Sequence, residues 1–231
     1  GYAGSAMVTN PTQITVGSIG SFNRVTVTNQ GILQTSGRLT VSGAASTRSN
    51  VVAVAQGGRL MAVGLTMGAG RFNTASVTDT GSVWNLGNAN CDIGSTGNTV
   101  WVSNGGVLNS VGGTFTITGT NSGLSVLSGG KAYMRGAFTI GNSALAASNY
   151  VSVSGSDSLW DLAGANLTIG VAAGTAFSNT LTIDQGSTVD NIGTLTVYSN
   201  NRVYFSGGML SISNAGVTNG RVFAAGDGIQ S

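Results

Sequence analysis

Residues 179–198 contain three short runs in which apolar and small polar positions alternate: Leu181-Thr182-Ile183, Val189 through Ile192, and Leu195-Thr196-Val197. Alternation with a period of two predicts strands. The breaks between the runs, at Gly186 and Gly193, are too short to hold a helical crossover. The rest of the chain repeats this unit. New units begin at Asn23, Asn50, Asn73, Asn98, Ser122, Asn149, Asn179 and Asn201, spaced about 22 to 30 residues apart, which is the period of a solenoid.

Each unit opens with a run of the form apolar, x, apolar: Val25-Thr26-Val27, Val52-Ala53-Val54, Ala75-Ser76-Val77, Val100-Trp101-Val102, Leu124-Ser125-Val126, Val151-Ser152-Val153, Leu181-Thr182-Ile183 and Val203-Tyr204-Phe205. Alternation turns the outer two residues inward and the middle one to solvent. A glycine turn follows, as at Gly57-Gly58, Gly105-Gly106, Gly129-Gly130 and Gly207-Gly208. The second run then offers Leu33, Leu60, Trp84, Leu108, Ala132, Trp160, Val189 and Leu210 to the interior. The third run is the most regular, from Leu39-Thr40-Val41 through Phe115-Thr116-Ile117 to Leu195-Thr196-Val197. Two inward apolar residues per run fix its register.

This pattern predicts an all-β chain, a right-handed parallel β-helix with three strands per coil and about eight or nine coils. The handedness is taken from the usual preference of parallel crossovers. Residues 1–22 form an N-terminal lead-in and first partial rung, entered at Ile14-Thr15-Val16, and residues 23–231 form the β-helix. At about 4.8 Å per rung the rod is on the order of 40 Å long. The asparagines that open the units, Asn23, Asn50, Asn73, Asn98, Asn149, Asn179 and Asn201, are expected to take the left-handed corner conformation. Their amides are expected to bond from rung to rung as a structural ladder. The segments between the third strand and the next asparagine vary most in length, being longest at residues 42–49, 141–148 and 170–178, and are the edge best suited to contacts.

Composition sharpens this picture. Only 7% of residues are charged, yet 41% are apolar in regular spacing, so the chain folds rather than remaining disordered. There is no Glu and no His, and Lys131 is the one lysine. A net charge of +2 is weak grounds for an anionic partner, and no nucleic-acid partner is expected. Cys91 is alone, so no disulfide framework exists, and it occupies an inward place of the third run as a small hydrophobe. No apolar run is long enough to span a membrane as a helix. The chain opens at Gly1 without a signal peptide, as processing or excision from a longer protein would leave it.

Catalysis on a β-helix needs clustered Asp, Lys, Arg or His. The acids here, Asp79, Asp92, Asp157, Asp161, Asp184, Asp190 and Asp227, are scattered, and Asp157 and Asp161, though near in sequence, fall at different places in the repeat. No catalytic residue, no cofactor and no metal site is therefore expected, and no enzyme. The outward threonines of the third run, Thr40, Thr66, Thr116, Thr139, Thr168 and Thr196, are interrupted by Asp92. With one per coil they form a narrow row for an ice-binding plane. Trp101 and Tyr204 take the outward place of the first run and are the candidate contact surface for sugars or a neighbouring subunit. Trp84 and Trp160 belong to the core.

The units Val-Ser-Gly-Ser-Asp-Ser-Leu-Trp-Asp-Leu-Ala-Gly-Ala-Asn-Leu-Thr-Ile-Gly at 153–170 and Asn-Thr-Val-Trp-Val-Ser-Asn-Gly-Gly-Val-Leu at 98–108 resemble the repeats of autotransporter passenger domains and related bacterial surface proteins. The resemblance covers almost the whole chain. It implies a secreted or cell-surface β-helix serving as adhesin, stalk or enzyme carrier. The expected role is a non-enzymatic structural or adhesive rod; the alternatives are polysaccharide binding or processing, and ice binding. Residues 1–11 and 220–226 supply no obvious cap, so head-to-tail self-association into a fibre, or continuation in a longer rod, is expected.

Overall fold

The computed structural model describes residues 6–10, 12–172, 174–217 and 221–225. Among them there is no helix, and strands are linked in parallel ladders in which the chain advances by about one turn between paired strands. The protein is a parallel β-solenoid of about eight turns.

The first ladder runs from Arg24–Val27 through Val51–Val54, Thr74–Thr78, Thr99–Ser103, Gly123–Leu127, Tyr150–Ser154 and Thr180–Asp184 to Arg202–Ser206 and Arg221–Ala225. The second joins Met7–Asn10 to Ile32–Thr35, Arg59–Ala62, Val83–Leu86, Val107–Ser110, Lys131–Met134 and Leu159–Asp161. The third begins at Ile14–Val16 and Leu39–Val41 and climbs to Leu167–Ile169. Thr188–Val197 runs through both the second and third ladders and fuses them into one 16-stranded sheet.

Register follows the sequence pattern. Leu33, Leu60, Trp84, Leu108, Ala132, Trp160, Val189 and Leu210 stand in one column. Leu60, Trp84, Leu108, Ala132, Trp160 and Val189 are essentially inaccessible to solvent. In the third ladder Phe115 stacks on Phe138 with centroids 4.9 Å apart, and Phe138 meets Trp160 edge-on at 4.8 Å. Such aromatic pairs add about 0.5 to 1.5 kcal/mol beyond the area they bury. The indole N–H groups of Trp84 and Trp160 are buried without a hydrogen-bond partner.

The double-glycine turns divide their work. Gly57, Gly105, Gly129 and Gly207 hold φ of 77°, 79°, 78° and 70°, where a side chain is strained. The glycine after each has another reason to lack a side chain: a Cβ on Gly106 would lie 2.6 Å from the Val77 carbonyl oxygen of the rung below.

One expectation needs correction. The solenoid does not begin at Ile14. Met7–Asn10 already pairs with Ile32–Thr35, so the first rung is entered one strand earlier. Adjacent Met7 and Val8 disguise the alternation, and both are exposed at this end of the rod. Residues 1–5, 11, 173, 218–220 and 226–231, including Asp227 and parts of both expected open ends, lie outside the described residues.

Candidate functional site

The asparagines form a continuous polar spine inside the corner that leads into the first ladder. The side-chain amide of Asn23 donates to Asn50 Oδ1 at 3.0 Å, Asn50 to Asn73 at 3.1 Å and Asn73 to Asn98 at 2.9 Å. The series resumes with Asn149 to Asn179 at 3.0 Å and Asn179 to Asn201 at 2.8 Å. The same Oδ1 atoms also accept the backbone N–H of the asparagine one rung earlier. Asn23 is exposed, while Asn50, Asn73, Asn98, Asn149, Asn179 and Asn201 are buried. Inside a core every such group must be paired, which the ladder achieves by translation.

Ser122 keeps the ladder continuous. Its hydroxyl accepts the Asn98 N–H at 3.1 Å, and its own N–H reaches Asn149 Oδ1 at 3.1 Å. Lacking an amide acceptor above it, the Asn98 Nδ2 turns to the carbonyls of Met67, Gly70 and Gly94.

The left-handed conformation expected at these asparagines lies one residue earlier. None of the seven has positive φ; the residues just before them do, namely Phe22, Ser49, Phe72, Gly97, Ser148, Ser178 and Asn200, and Asn121 before Ser122. The physical reason is burial. The ladder side chain must point into the core from extended backbone, so the sharp reversal falls on its exposed neighbour. At that position six coils carry Gly, Asn or Ser, whereas Phe22 and Phe72 are bulky, with φ of 61° and 57°. The sequence pattern did not single out these two; the signal available was their place immediately before Asn23 and Asn73.

Trp101 and Tyr204 both occupy the outward column of the first ladder. Trp101, 41% exposed, stands between Ser76 and Ser125. Tyr204 is half-buried beside Thr182, and its hydroxyl is met by the Arg202 guanidinium at 2.9 Å. Ser125, Ser152 and Thr182 separate the two along the column, so they do not form one patch.

The threonine column is half-buried throughout. Asp92, its interruption, accepts hydrogen bonds from the Thr116 and Thr118 hydroxyls at 3.0 and 2.9 Å. Among the described residues Asp157 and Asp161 have separate surroundings. Asp157 sits in a left-handed turn, and Asp161 Oδ1 is engaged by the Ala163 N–H and the Asn191 amide. Asp161 does face Asp190 across one rung, a pairing hidden in the sequence by the variable coil length. Among the described residues no group of three or more His, Cys, Asp or Glu side chains could hold a metal ion.

A groove of about 920 Å³ runs along the second ladder. Its floor includes Gln34, Met61, Asn85, Asn109, Tyr133 and Asp161, which follow one another in register. The Asn109 amide donates to Asn85 Oδ1 at 2.8 Å, an outward counterpart of the buried ladder. Cys91 is buried in the third ladder; desolvation pushes its thiol up to about 11, opposed by smaller contributions from the Leu65 N–H, the Arg38 charge and the Ser110 hydroxyl. Such a thiol is unreactive at neutral pH.

No helix is long and apolar enough to cross a membrane among the described residues. No family model matches the chain, and no curated protein matches it. Among solved structures the chain is similar to a TibC-catalysed, hyper-glycosylated TibA fragment, at 15% identity over 97% of this chain and 99% of that one, with a TM-score of 0.21. The fold assignment rests on the strand ladders themselves.

Proposed function

We propose that this chain is a non-enzymatic extracellular rod, a right-handed solenoid with three strands to a coil, acting as a structural or adhesive element of a bacterial surface. The supporting observation is the asparagine and serine ladder, which joins rungs without a break from Asn23 to Asn201. The buried asparagine amides are committed to joining one rung to the next. Among the chain's carboxylates, Asp92 is engaged by the Thr116 and Thr118 hydroxyls and Asp161 by the Ala163 N–H. Among the described residues the first ladder ends in strands with one partner each, Arg24–Val27 and Arg221–Ala225. Such edges accept further strands, which favours head-to-tail stacking of rods.

A second reading, polysaccharide contact along the side of the rod, is favoured by the groove of amides, Tyr133 and Asp161 on the second ladder. Electron micrographs and sedimentation over a concentration series test the first reading. Fibres or elongated oligomers that grow with concentration are expected, and a sharply monomeric species at high concentration removes stacking. Product release from a panel of acidic glycans would replace the structural reading with an enzymatic one.

A further inference from the structure

We infer that the corner carrying Phe22, Arg48, Arg71 and Phe72 is a binding surface for a linear anionic polysaccharide. The inference goes beyond the rod reading and does not depend on whether rods stack. It starts from four side chains that work against local stability. Phe22 and Phe72 hold left-handed backbone where the other coils use Gly, Asn or Ser, and they are 70% and 54% exposed. The fold imposes this backbone in every coil, so it is the choice of a bulky, exposed residue for it that stands out. Arg48 and Arg71 are direct partners across a parallel bridge, so two like charges sit one rung apart on the exposed corner. Like charges directly opposite oppose pairing.

No carboxylate pairs with either arginine among the described residues. Arg48 instead lies over the Phe22 ring, 5.9 Å from its centroid. The Phe72 ring lies along the rod over Gly97, whose missing Cβ makes room: a Cβ there would meet the ring at 2.5 Å. The corner thus presents aromatic side chains two rungs apart, with Arg48 on the rung between them and Arg71 next to Phe72 in sequence. The surrounding half of the chain is basic, with Arg24, Arg38, Arg48, Arg59 and Arg71 against Asp79 and Asp92. Asp79 accepts from the Gln56 N–H and Asp92 from two threonines, and neither forms an ion pair with Arg48 or Arg71.

An extended uronic-acid chain fits this chemistry. Its carboxylates suit the fork of arginine, and the C–H faces of its rings suit the flat phenylalanines. Its repeat runs along the axis on which Arg48 and Arg71 are spaced by about 4.8 Å. The groove on the second ladder lies on a different face and carries a carboxylate of its own, Asp161.

The test is titration of a fluorescent polygalacturonate oligomer with the full chain, alongside a neutral cello-oligosaccharide and single-stranded poly-dT. Binding of polygalacturonate that weakens with salt is expected, with at least tenfold preference over the neutral chain. Arg48→Ser with Arg71→Ser should lower that affinity at least tenfold. Lys131→Ser with Arg202→Ser, which removes the same net charge elsewhere, should change it less than twofold. Phe22→Ser with Phe72→Ser should lower it several-fold while the unfolding midpoint holds or rises, since serine already serves this position in other coils. Absence of polygalacturonate binding, equal loss in both charge variants, or tighter binding of poly-dT overturns the proposal.

Discussion

Asn73 and Phe72 are neighbours in one turn, yet they obey different rules. Asn73 is fully buried, and its amide and backbone are tied to Asn50 and Asn98. Phe72 is exposed, makes no side-chain hydrogen bond, and holds a positive φ. The inner position is specified because each change leaves polar groups unpaired on two rungs. The outer one is constrained only through a modest conformational penalty, and so is free to vary. Within a repeat protein, stability is thereby separated from contact by one residue.

The sharpest way to break this contrast is Asn73→Ala. It strands the Asn50 amide and N–H and leaves Asn98 Oδ1 with the backbone N–H of residue 73 alone. With about 1 to 3 kcal/mol for each buried group left unsatisfied, a loss of about 3 kcal/mol or more is expected in denaturant titrations. Asn73→Ser should cost about half as much, because Ser122 already fills this place in another coil.

The third ladder repeats the contrast, with Cys91 facing in and Asp92 facing out. Burial raises the Cys91 thiol from 9.0 to about 11, so the unfolded chain loses this proton before the folded one does. Its contribution is therefore complete below about pH 9 and lost as pH rises to about 11, a fall of about 2 to 3 kcal/mol. Burial also raises the Tyr150 hydroxyl, which acts in the same direction at alkaline pH. Cys91→Ala should flatten part of that decline in unfolding measured from pH 8 to 11. An unchanged profile would mean the thiol is not buried.

Phe72→Ser carries the smallest expected effect and the opposite sign to Asn73→Ala. Relief of left-handed strain should leave stability unchanged or raise it by up to about 1 kcal/mol. A loss comparable to that of Asn73→Ala would show that the outer position is structural after all.

Much of the fold was readable because each strand declares itself through two inward residues. Leu167 and Ile169 flank Thr168 as Phe138 and Ile140 flank Thr139, and register follows directly. The asparagine starts were equally visible. Asparagine's own tolerance of the left-handed region points to a reversal at these residues, whereas burial moves that reversal to the preceding residue. Met7–Asn10 was missed since Met7 and Val8 are adjacent and exposed, giving no alternation. Asp161 facing Asp190, and Arg48 facing Arg71, could not be read from spacing, because coil lengths differ and only three-dimensional register aligns them. Trp101 and Tyr204 share one outward column, and the intervening coils keep them apart.

Side-chain hydrogen exchange of the asparagine amides, followed by NMR after transfer to heavy water, tests the ladder most directly. Amides of Asn50, Asn73, Asn98, Asn149, Asn179 and Asn201 should exchange as slowly as the inward strand N–H groups, with exposed Asn23 and Asn104 exchanging fast. Uniformly fast exchange of all these amides would contradict a buried, hydrogen-bonded spine.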